Sequence, residues 1–98
     1  MNVLLTEPVI KTISAVAKGK TANPARAKKI AKTIKHLETN PTDHPGLHSH
    51  RYDSLDDAFG EKVWESYVEN DTHGAWRIWW YFGPNEGDLT VVDLGPHP

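Results

Sequence analysis

Residues 75–82 read AWRIWWYF and hold five of the nine aromatic side chains in this chain of 98 residues. Aromatic and β-branched side chains favour extended strands, and successive side chains of a strand point to opposite faces of the sheet. One face would carry Trp76, Ile78, Trp80 and Phe82, and the other Arg77, Trp79 and Tyr81. We expect the uncharged set to face the core and the set with Arg77 to form an open face.

Two further strands are predicted on either side of this segment, at 62–69 and 89–94. The connections at 70–74 and 83–88 are short, and short connections make neighbouring strands antiparallel. In the first of these strands, Trp64, Ser66 and Val68 would face the core, and Glu65 and Tyr67 the open face. In the last strand, Val92 belongs to the more apolar alternate set and is expected in the core.

Two helices are predicted before the sheet. Thr6-Glu7-Pro8 and Asn23-Pro24 each combine a capping side chain with an early proline, which is typical of a helix start. Gly19 ends the first helix, and Asn40-Pro41 ends the second. The predicted core consists of Trp64, Trp76, Ile78, Trp80 and Val92 from the sheet with Ile13, Ile30, Ile34 and Leu37 from the helices.

The order of these elements predicts one α+β domain that spans residues 1–98. An N-terminal helical hairpin would pack on one face of a small twisted antiparallel sheet of three to four strands. A short edge strand is predicted at 47–52, and residues 2–5 are at best a short first strand.

The composition excludes several classes of protein. The chain has no cysteine, so neither a disulfide nor a thiolate metal site can form. Residues 1–11 lack the long apolar run of a signal peptide, and no segment approaches the length of a membrane span. We therefore expect a cytoplasmic protein without a membrane partner.

Charge is distributed unevenly along the chain. Residues 1–36 carry seven Lys and Arg26 against Glu7, a balance of +7, whereas residues 37–98 carry three basic residues against twelve acids, a balance of −9. Halves of opposite sign suit a polar partner for each half or attraction between the halves. Two solvated surfaces would give the same pattern.

Arginine and histidine side chains are predicted around the open sheet face. Arg77 lies at its centre, His48, His50 and Arg51 precede the sheet, and His97 follows the last strand. Arginine can hold a phosphate with two hydrogen bonds, and histidine as a residue type can transfer protons near neutral pH. The alternative is that Arg77 pairs with an acid of the hairpin and that the histidines are ordinary loop residues.

The loop run His44-Pro-Gly-Leu-His48-Ser-His50 holds three histidines, a residue type that binds zinc. Its spacing matches no strong metal motif, and a polar loop explains it without a ligand. We predict neither a metal nor another cofactor.

A second group of residues is predicted to contact nucleic acid. Lys28, Lys32 and Lys35 share one face of the second helix and could meet phosphates, although a solvated helix face has the same pattern. Trp79 and Tyr81 could stack on bases.

The sequence resembles the RelE/ParE superfamily of toxins from type II toxin–antitoxin systems, in particular its HigB/RelE-like branch. The likeness runs from about Ala25 to His97, which is most of the chain. It is carried, in order, by LETNP at 37–41, HPGLHSHRY at 44–52, VWESYV at 63–68, AWRIWWY at 75–81 and LTVVDLGPH at 89–97.

The resemblance implies one of two activities. RelE-like members cut messenger RNA in the ribosomal A site, where a 2′-hydroxyl attacks the adjacent phosphate, and ParE-like members poison DNA gyrase. Members of both kinds are usually held inactive by a cognate antitoxin.

The resemblance also implies roles for individual residues. Arg77 matches the family's central-strand arginine, which contacts phosphate, and the remaining catalytic candidates are His48, His50, Arg51 and His97. The leading expectation is a ribosome-dependent mRNA endoribonuclease, or mRNA interferase, that needs no metal. The alternative is a non-catalytic protein of the same fold that binds gyrase or another host factor.

Overall fold

The computed structural model describes residues 1–70 and 72–97. Asp71, in the predicted 70–74 connection, and Pro98, at the end of the predicted domain, lie outside these ranges. The elements within them are β1 (Asn2–Leu5), α1 (Glu7–Ala17), α2 (Pro24–Thr39), β2 (His50–Arg51), a 3-10 turn (Asp53–Leu55), α3 (Asp56–Phe59), β3 (Trp64–Tyr67), β4 (Trp76–Phe82) and β5 (Asp88–Pro96). The predicted α+β class is confirmed.

The strands form one sheet in the order β1-β5-β4-β3-β2. β1 runs parallel to β5, and the other neighbouring pairs are antiparallel. The described part of this sheet has five strands rather than three to four, because residues 2–5 pair with β5 and the predicted 47–52 strand adds a two-residue edge to β3. The predicted strand at 62–69 shortens to 64–67, and the one at 89–94 lengthens to 88–96.

The helical hairpin forms where predicted, but of the two predicted caps only Asn23 is confirmed, because the side chain of Thr6 makes no capping hydrogen bond. The side chain of Asn23 accepts a hydrogen bond from the backbone N–H of Arg26 at 3.0 Å, which satisfies one free donor of the first turn of α2. Gly19, with a φ of 87°, adopts the left-handed conformation just after α1. Each helix in the described ranges is too short or too polar to cross a lipid bilayer.

The main core lies between the helical hairpin and one face of the sheet. Trp80 and Ile78 are fully buried there, and the indole N–H of Trp80 donates to Ser66 Oγ at 2.9 Å. The other buried members are Val9, Val16, Ile30, Leu37, Leu47, Leu89, Val91 and Leu94, and the predicted members Ile13, Ile34, Trp64 and Trp76 are partly buried at its margin.

Val92 is not in this core, and that prediction is wrong. Trp79 pairs with Asp93 and Trp80 with Val91, so one extra residue of β5 lies opposite a single step of β4. Such a β-bulge interrupts the alternation of faces. Val92 therefore packs with Val63 and Trp79 on the other side of the sheet.

The sheet face opposite the helices is not open, contrary to the prediction. Trp79 is only 4% exposed, because Tyr52 and Leu55, from the segment between β2 and α3, cover it. Phe82, predicted to face the core with Trp80, is 43% exposed at the end of β4. The other end of this face, around Arg77, borders an open cleft.

Candidate active site

Three side chains form a row across the sheet, on the face away from the helices. His50 on β2 pairs with Glu65 on β3, and Glu65 pairs with Trp79 on β4. Glu65 is only 2% exposed. A charged side chain buried to this extent needs polar partners to offset the loss of hydration.

Four side-chain nitrogens surround the carboxylate of Glu65. Oε2 accepts a hydrogen bond from the indole N–H of Trp79 at 3.0 Å and lies 3.6 Å from Nε2 of His97. Oε1 lies 3.1 Å from Nε2 of His50 and 3.9 Å from Nε of Arg77. The carboxylate thus holds two imidazoles and a guanidinium together.

Arg77 is fixed by its other contacts. Its Nη1 donates to the backbone carbonyls of Glu69 at 2.7 Å and Trp76 at 3.1 Å, and its guanidinium carbon lies 3.6 Å from the ring centroid of Tyr67. Within the described residues, the buried Nε of Arg77 has no hydrogen-bond partner. Its positive charge is thus held in place beside Glu65, at the wall of the cleft.

The contacts meet in an open cleft of about 570 Å³. Its walls are His50, Glu65, Tyr67, Arg77 and His97, with the turn at 72–75 at one end. The two imidazoles are half-exposed, at 48% for His50 and 47% for His97. They are therefore accessible to a ligand from solvent, whereas Glu65 is shielded beneath them.

Comparison of whole structures assigns the fold. The chain superposes on archaeal RelE in the RelE–RelB complex from Pyrococcus horikoshii OT3, with a TM-score of 0.66, 12% identity, and coverage of 97% of this chain and 92% of that one. It superposes on YoeB of the YoeB–YefM complex from Staphylococcus aureus with a TM-score of 0.69, 11% identity, and coverage of 100% and 98%. For the YoeB/ParE toxin from Agrobacterium tumefaciens the TM-score is 0.69, with 14% identity and full coverage of both chains.

The chain has the RelE/ParE fold. No protein-family model matches the sequence, and no curated protein does either. At these identities the likeness to solved structures establishes the arrangement of the chain, and the chemistry must be argued from the site itself.

Three of the five predicted catalytic residues meet in the cleft of this RelE/ParE fold. They are Arg77, His50 and His97. His97 reaches the cleft because Trp76 pairs with Pro96 at the end of β5, and the backbone N–H of His97 then donates to the carbonyl of Ala75 at 3.1 Å.

Arg51 lies elsewhere, contrary to its predicted place among the catalytic residues. It neighbours His50 on a strand and therefore points to the opposite face. Its guanidinium pairs with Asp56, and its Nε donates to the carbonyl of Val63 at 3.2 Å. The backbone N–H of Val63 and then Arg51 lower the pKa of the Asp56 carboxyl. Arg51 thus fastens α3 to the sheet.

His48 is next to the cleft but does not line it. Its ring packs against Tyr67, with 4.8 Å between the centroids, and its backbone is left-handed, with a φ of 47°. The carbonyl of His48 lies 2.8 Å from Nδ1 of His50. His48 therefore helps to orient the His50 ring through its backbone.

Of the residues predicted to contact nucleic acid, the lysines are accessible and the aromatic side chains are buried or partly buried. Lys28, Lys32 and Lys35 are exposed on α2, as expected. Trp79 cannot stack on a base, because it is buried and its indole N–H is bonded to Glu65. Tyr81 is partly buried against the same cluster as Trp79.

The three loop histidines point to different partners. His44 stacks on His36 with 3.8 Å between ring centroids, His48 packs on Tyr67, and His50 contacts Glu65. Within residues 1–70 and 72–97, no group of three or more His, Asp or Glu side chains is placed to hold a metal ion.

Sequence reasoning missed two functional features of the structure. Glu65 was assigned to the correct face, but its burial under two histidines depends on His97 returning from the end of the chain. The pairing of Arg26 with Glu69, through two hydrogen bonds of 2.8 and 3.1 Å, joins residues far apart in sequence. For the pair of Arg26 and Glu69, the only signal in the sequence is a lone arginine on α2 and a lone acid at the end of the hairpin strand.

Proposed function

We propose that this chain is the toxin of a type II toxin–antitoxin system and acts in the cytoplasm as a ribosome-dependent, metal-independent mRNA endoribonuclease. The observation that carries the proposal is the buried carboxylate of Glu65, with His50 and His97 at its two oxygens and Arg77 beside it. Two imidazoles and a guanidinium supply a proton acceptor, a proton donor and a cation for one phosphodiester.

The proposed reaction uses a nucleophile that the RNA itself provides. The 2′-hydroxyl of a bound nucleotide attacks the adjacent phosphorus, and one imidazole takes the hydroxyl proton. The bond from phosphorus to the 5′ oxygen of the next nucleotide breaks, and the other imidazole gives that oxygen a proton. The products are a 2′,3′-cyclic phosphate and a 5′-hydroxyl, and no other reactant is consumed.

Solvent exposure distinguishes the role of Glu65 from the roles of the two histidines and Arg77. His50 and His97 are half-exposed and can meet the RNA, whereas Glu65 is 2% exposed and cannot. Glu65 is therefore a positioning residue that orients both rings. Arg77, at 12% exposure, places its charge where negative charge develops on the phosphate during attack.

The proposed partners are a cognate antitoxin, the ribosome and mRNA. The RelE and YoeB structures with this fold are complexes with RelB and YefM. By analogy, we propose that this chain is held inactive by a partner protein encoded with it.

A second function is favoured by a groove at the other end of β3. Trp64 and the exposed Phe82 line it together with the acids Asp56, Asp57 and Glu61 and the base Lys62, and it encloses about 790 Å³. Because Arg51 already pairs with Asp56, the groove keeps only a small excess of acid, which does not attract RNA, and its aromatic wall suits a protein surface. This observation supports the alternative of a non-catalytic protein that binds DNA gyrase or another host factor.

Expression in a bacterial host separates the two functions. The wild type should arrest growth and create new mRNA 5′ ends within coding regions, and Arg77→Ala should do neither. Lys18→Ala, which removes an exposed charge that does not line the cleft, serves as the matched control and should behave as the wild type. Growth arrest without new mRNA ends would favour the partner-binding function, and no arrest in several hosts would indicate a protein without toxic activity.

A further inference from the structure

A second groove, here termed the α2 groove, lies between α2, the loop that follows it and β3. It encloses about 290 Å³. The α2 side is formed by Lys29, Lys32 and His36, the loop side by His44, and the far wall by Tyr67. The three α2 residues are spaced three and four apart, so they share one helix face.

The two histidines of the α2 groove are stacked. Their ring centroids are 3.8 Å apart, and the ring planes differ by 24°. Nδ1 of His44 accepts a hydrogen bond from the backbone N–H of Gly46 at 3.1 Å. The ring proton of neutral His44 is therefore on Nε2, where it is available as a donor to an acceptor from outside.

Positive charge predominates in the α2 groove. Lys29 and Lys32 line it, and its one carboxylate among the described residues, Glu69, is occupied by Arg26 through two hydrogen bonds. Arg26 lowers the pKa of Glu69, so this acid is ionised and already neutralised. Among the described residues that line the groove, the remaining charge is positive and belongs to Lys29 and Lys32.

The pKa of His36 is lowered, first by partial burial and then by His44, Lys32 and Lys35. Neighbours of like charge lower the pKa of an imidazole because they disfavour its protonated form. An anion bound among these groups would reverse that effect. The environment of His36 is therefore consistent with a site built for an anion.

Tyr67 connects the α2 groove to the catalytic cleft. It lines both, and the guanidinium carbon of Arg77 lies 3.6 Å from its ring centroid on the cleft side. A single strand of RNA that crosses Tyr67 would therefore reach both sites, with one phosphate on the Arg77 side of the ring and another on the side of Lys29 and Lys32.

We propose that the α2 groove is a second phosphate site, which binds the backbone of single-stranded RNA next to the phosphate held in the cleft. Lys29 and Lys32 supply the charge, and the stacked pair of His36 and His44 supplies N–H donors at the groove wall. The proposal rests on the proposed function, because it takes the ligand of the cleft to be RNA.

The test measures binding of a 2′-O-methyl RNA oligonucleotide, which lacks the attacking hydroxyl and cannot be cut. Lys29→Ala with Lys32→Ala should weaken binding by about tenfold at low salt, and the slope of log K against log salt should become shallower by about 0.7 for each phosphate that a lysine no longer neutralises. The matched control, Lys18→Ala with Lys20→Ala, removes the same charge from exposed positions outside the groove and should bind as the wild type.

An equal weakening of binding in the groove variant and the control would overturn the proposal, because binding would then follow net charge alone. Failure of the wild type to bind the oligonucleotide would overturn it as well. If the wild type makes no new mRNA ends in a host but the groove variant binds the oligonucleotide more weakly than the control, the nuclease function fails and the groove proposal stands. If the wild type cuts mRNA but both variants bind equally, the groove proposal alone fails.

Discussion

Trp79 donates its indole N–H to Oε2 of Glu65 over 3.0 Å. The tryptophan is 4% exposed and the acid 2%, so this bond lies beneath the cleft, on the side away from solvent. One oxygen of the carboxylate is thereby anchored to the middle of β4. The position of the two histidines above it follows from that anchor.

Trp79→Phe should therefore lower the free energy of unfolding by about 1–3 kcal/mol, because a buried carboxylate loses a hydrogen-bond donor. Urea denaturation measures the change. The double variant Trp79→Phe/Glu65→Leu should lose less than the sum of the single changes, since both partners are then apolar. A decrease below about 0.5 kcal/mol for Trp79→Phe would mean that the bond contributes little.

Two side chains in the last part of β4, on the same face, offer a second prediction, on packing. Trp80 is fully buried, whereas Phe82 is 43% exposed. Trp80→Ala should cost about 3–5 kcal/mol, as for other buried aromatic side chains. Phe82→Ala, on the same face of the same strand, should cost less than about 1 kcal/mol. Similar costs for both would show that the register of β4 differs from the one described.

Arg26 and Glu69 predict how stability responds to acid. The Arg26 guanidinium holds the pKa of Glu69 below its ordinary value of 4.5. Stability from this pair is fully present above that value and is lost as the pH falls through the lower folded-state pKa. Arg26→Met should therefore flatten the acid limb of a plot of unfolding free energy against pH, and Lys20→Ala should not. An acid limb unchanged by Arg26→Met would contradict the prediction.

His36 predicts a loss of stability in the same direction, but at a higher pH. The groups that face it are Lys29, Lys32 and Lys35 from α2, His44 from the following loop, and Tyr67 and Glu69 from β3 and the hairpin. Its pKa lies below the ordinary value of 6.5, so the unfolded chain takes up this proton first as the pH falls. Stability should decrease as the pH drops through 6.5, and His36→Gln should reduce that decrease. Thermal unfolding at several pH values measures it, and an equal decrease in the variant would contradict the prediction.

The affinity for RNA should rise as the pH falls, in the same pH range in which stability decreases. A phosphate in the α2 groove favours protonated His36, so affinity for the 2′-O-methyl RNA should rise as the pH falls below 6.5. His36→Gln should weaken this rise. Fluorescence anisotropy at several pH values measures the affinity. If the affinity of the His36 variant depends on pH as strongly as that of the wild type, the account is contradicted.

The sequence was sufficient to predict the elements whose periodicity is regular. The stripe that includes Ile30 and Leu37 identifies the buried face of α2, and the alternation through Ile78 and Trp80 identifies the core face of β4. Each of these signals is local. It needs only the spacing of apolar side chains within one element.

The features that sequence reasoning missed depend on contacts between distant segments. A bulge at Val92 moves it to the other face, and nothing in the spacing of β5 marks that extra residue. Glu65 meets His97 only because β5 lies next to β4, and strand order is set by the whole sheet. Arg51 is predicted together with His50 because both precede the sheet, where the resemblance implies basic and histidine side chains. Adjacent residues of a strand nevertheless face opposite sides, and the two separate.

The central claim is that His50, His97 and Arg77 cut RNA without a metal. The most direct test is single-turnover cleavage of ribosome-bound mRNA, with analysis of the product ends. We expect a 2′,3′-cyclic phosphate and a 5′-hydroxyl from the wild type, a rate about 10²–10⁴-fold lower for His50→Gln or His97→Gln, and no cleavage by Arg77→Ala. Cleavage by the wild type that persists at the same rate in all three variants, or the absence of any cleavage by the wild type, would contradict the claim.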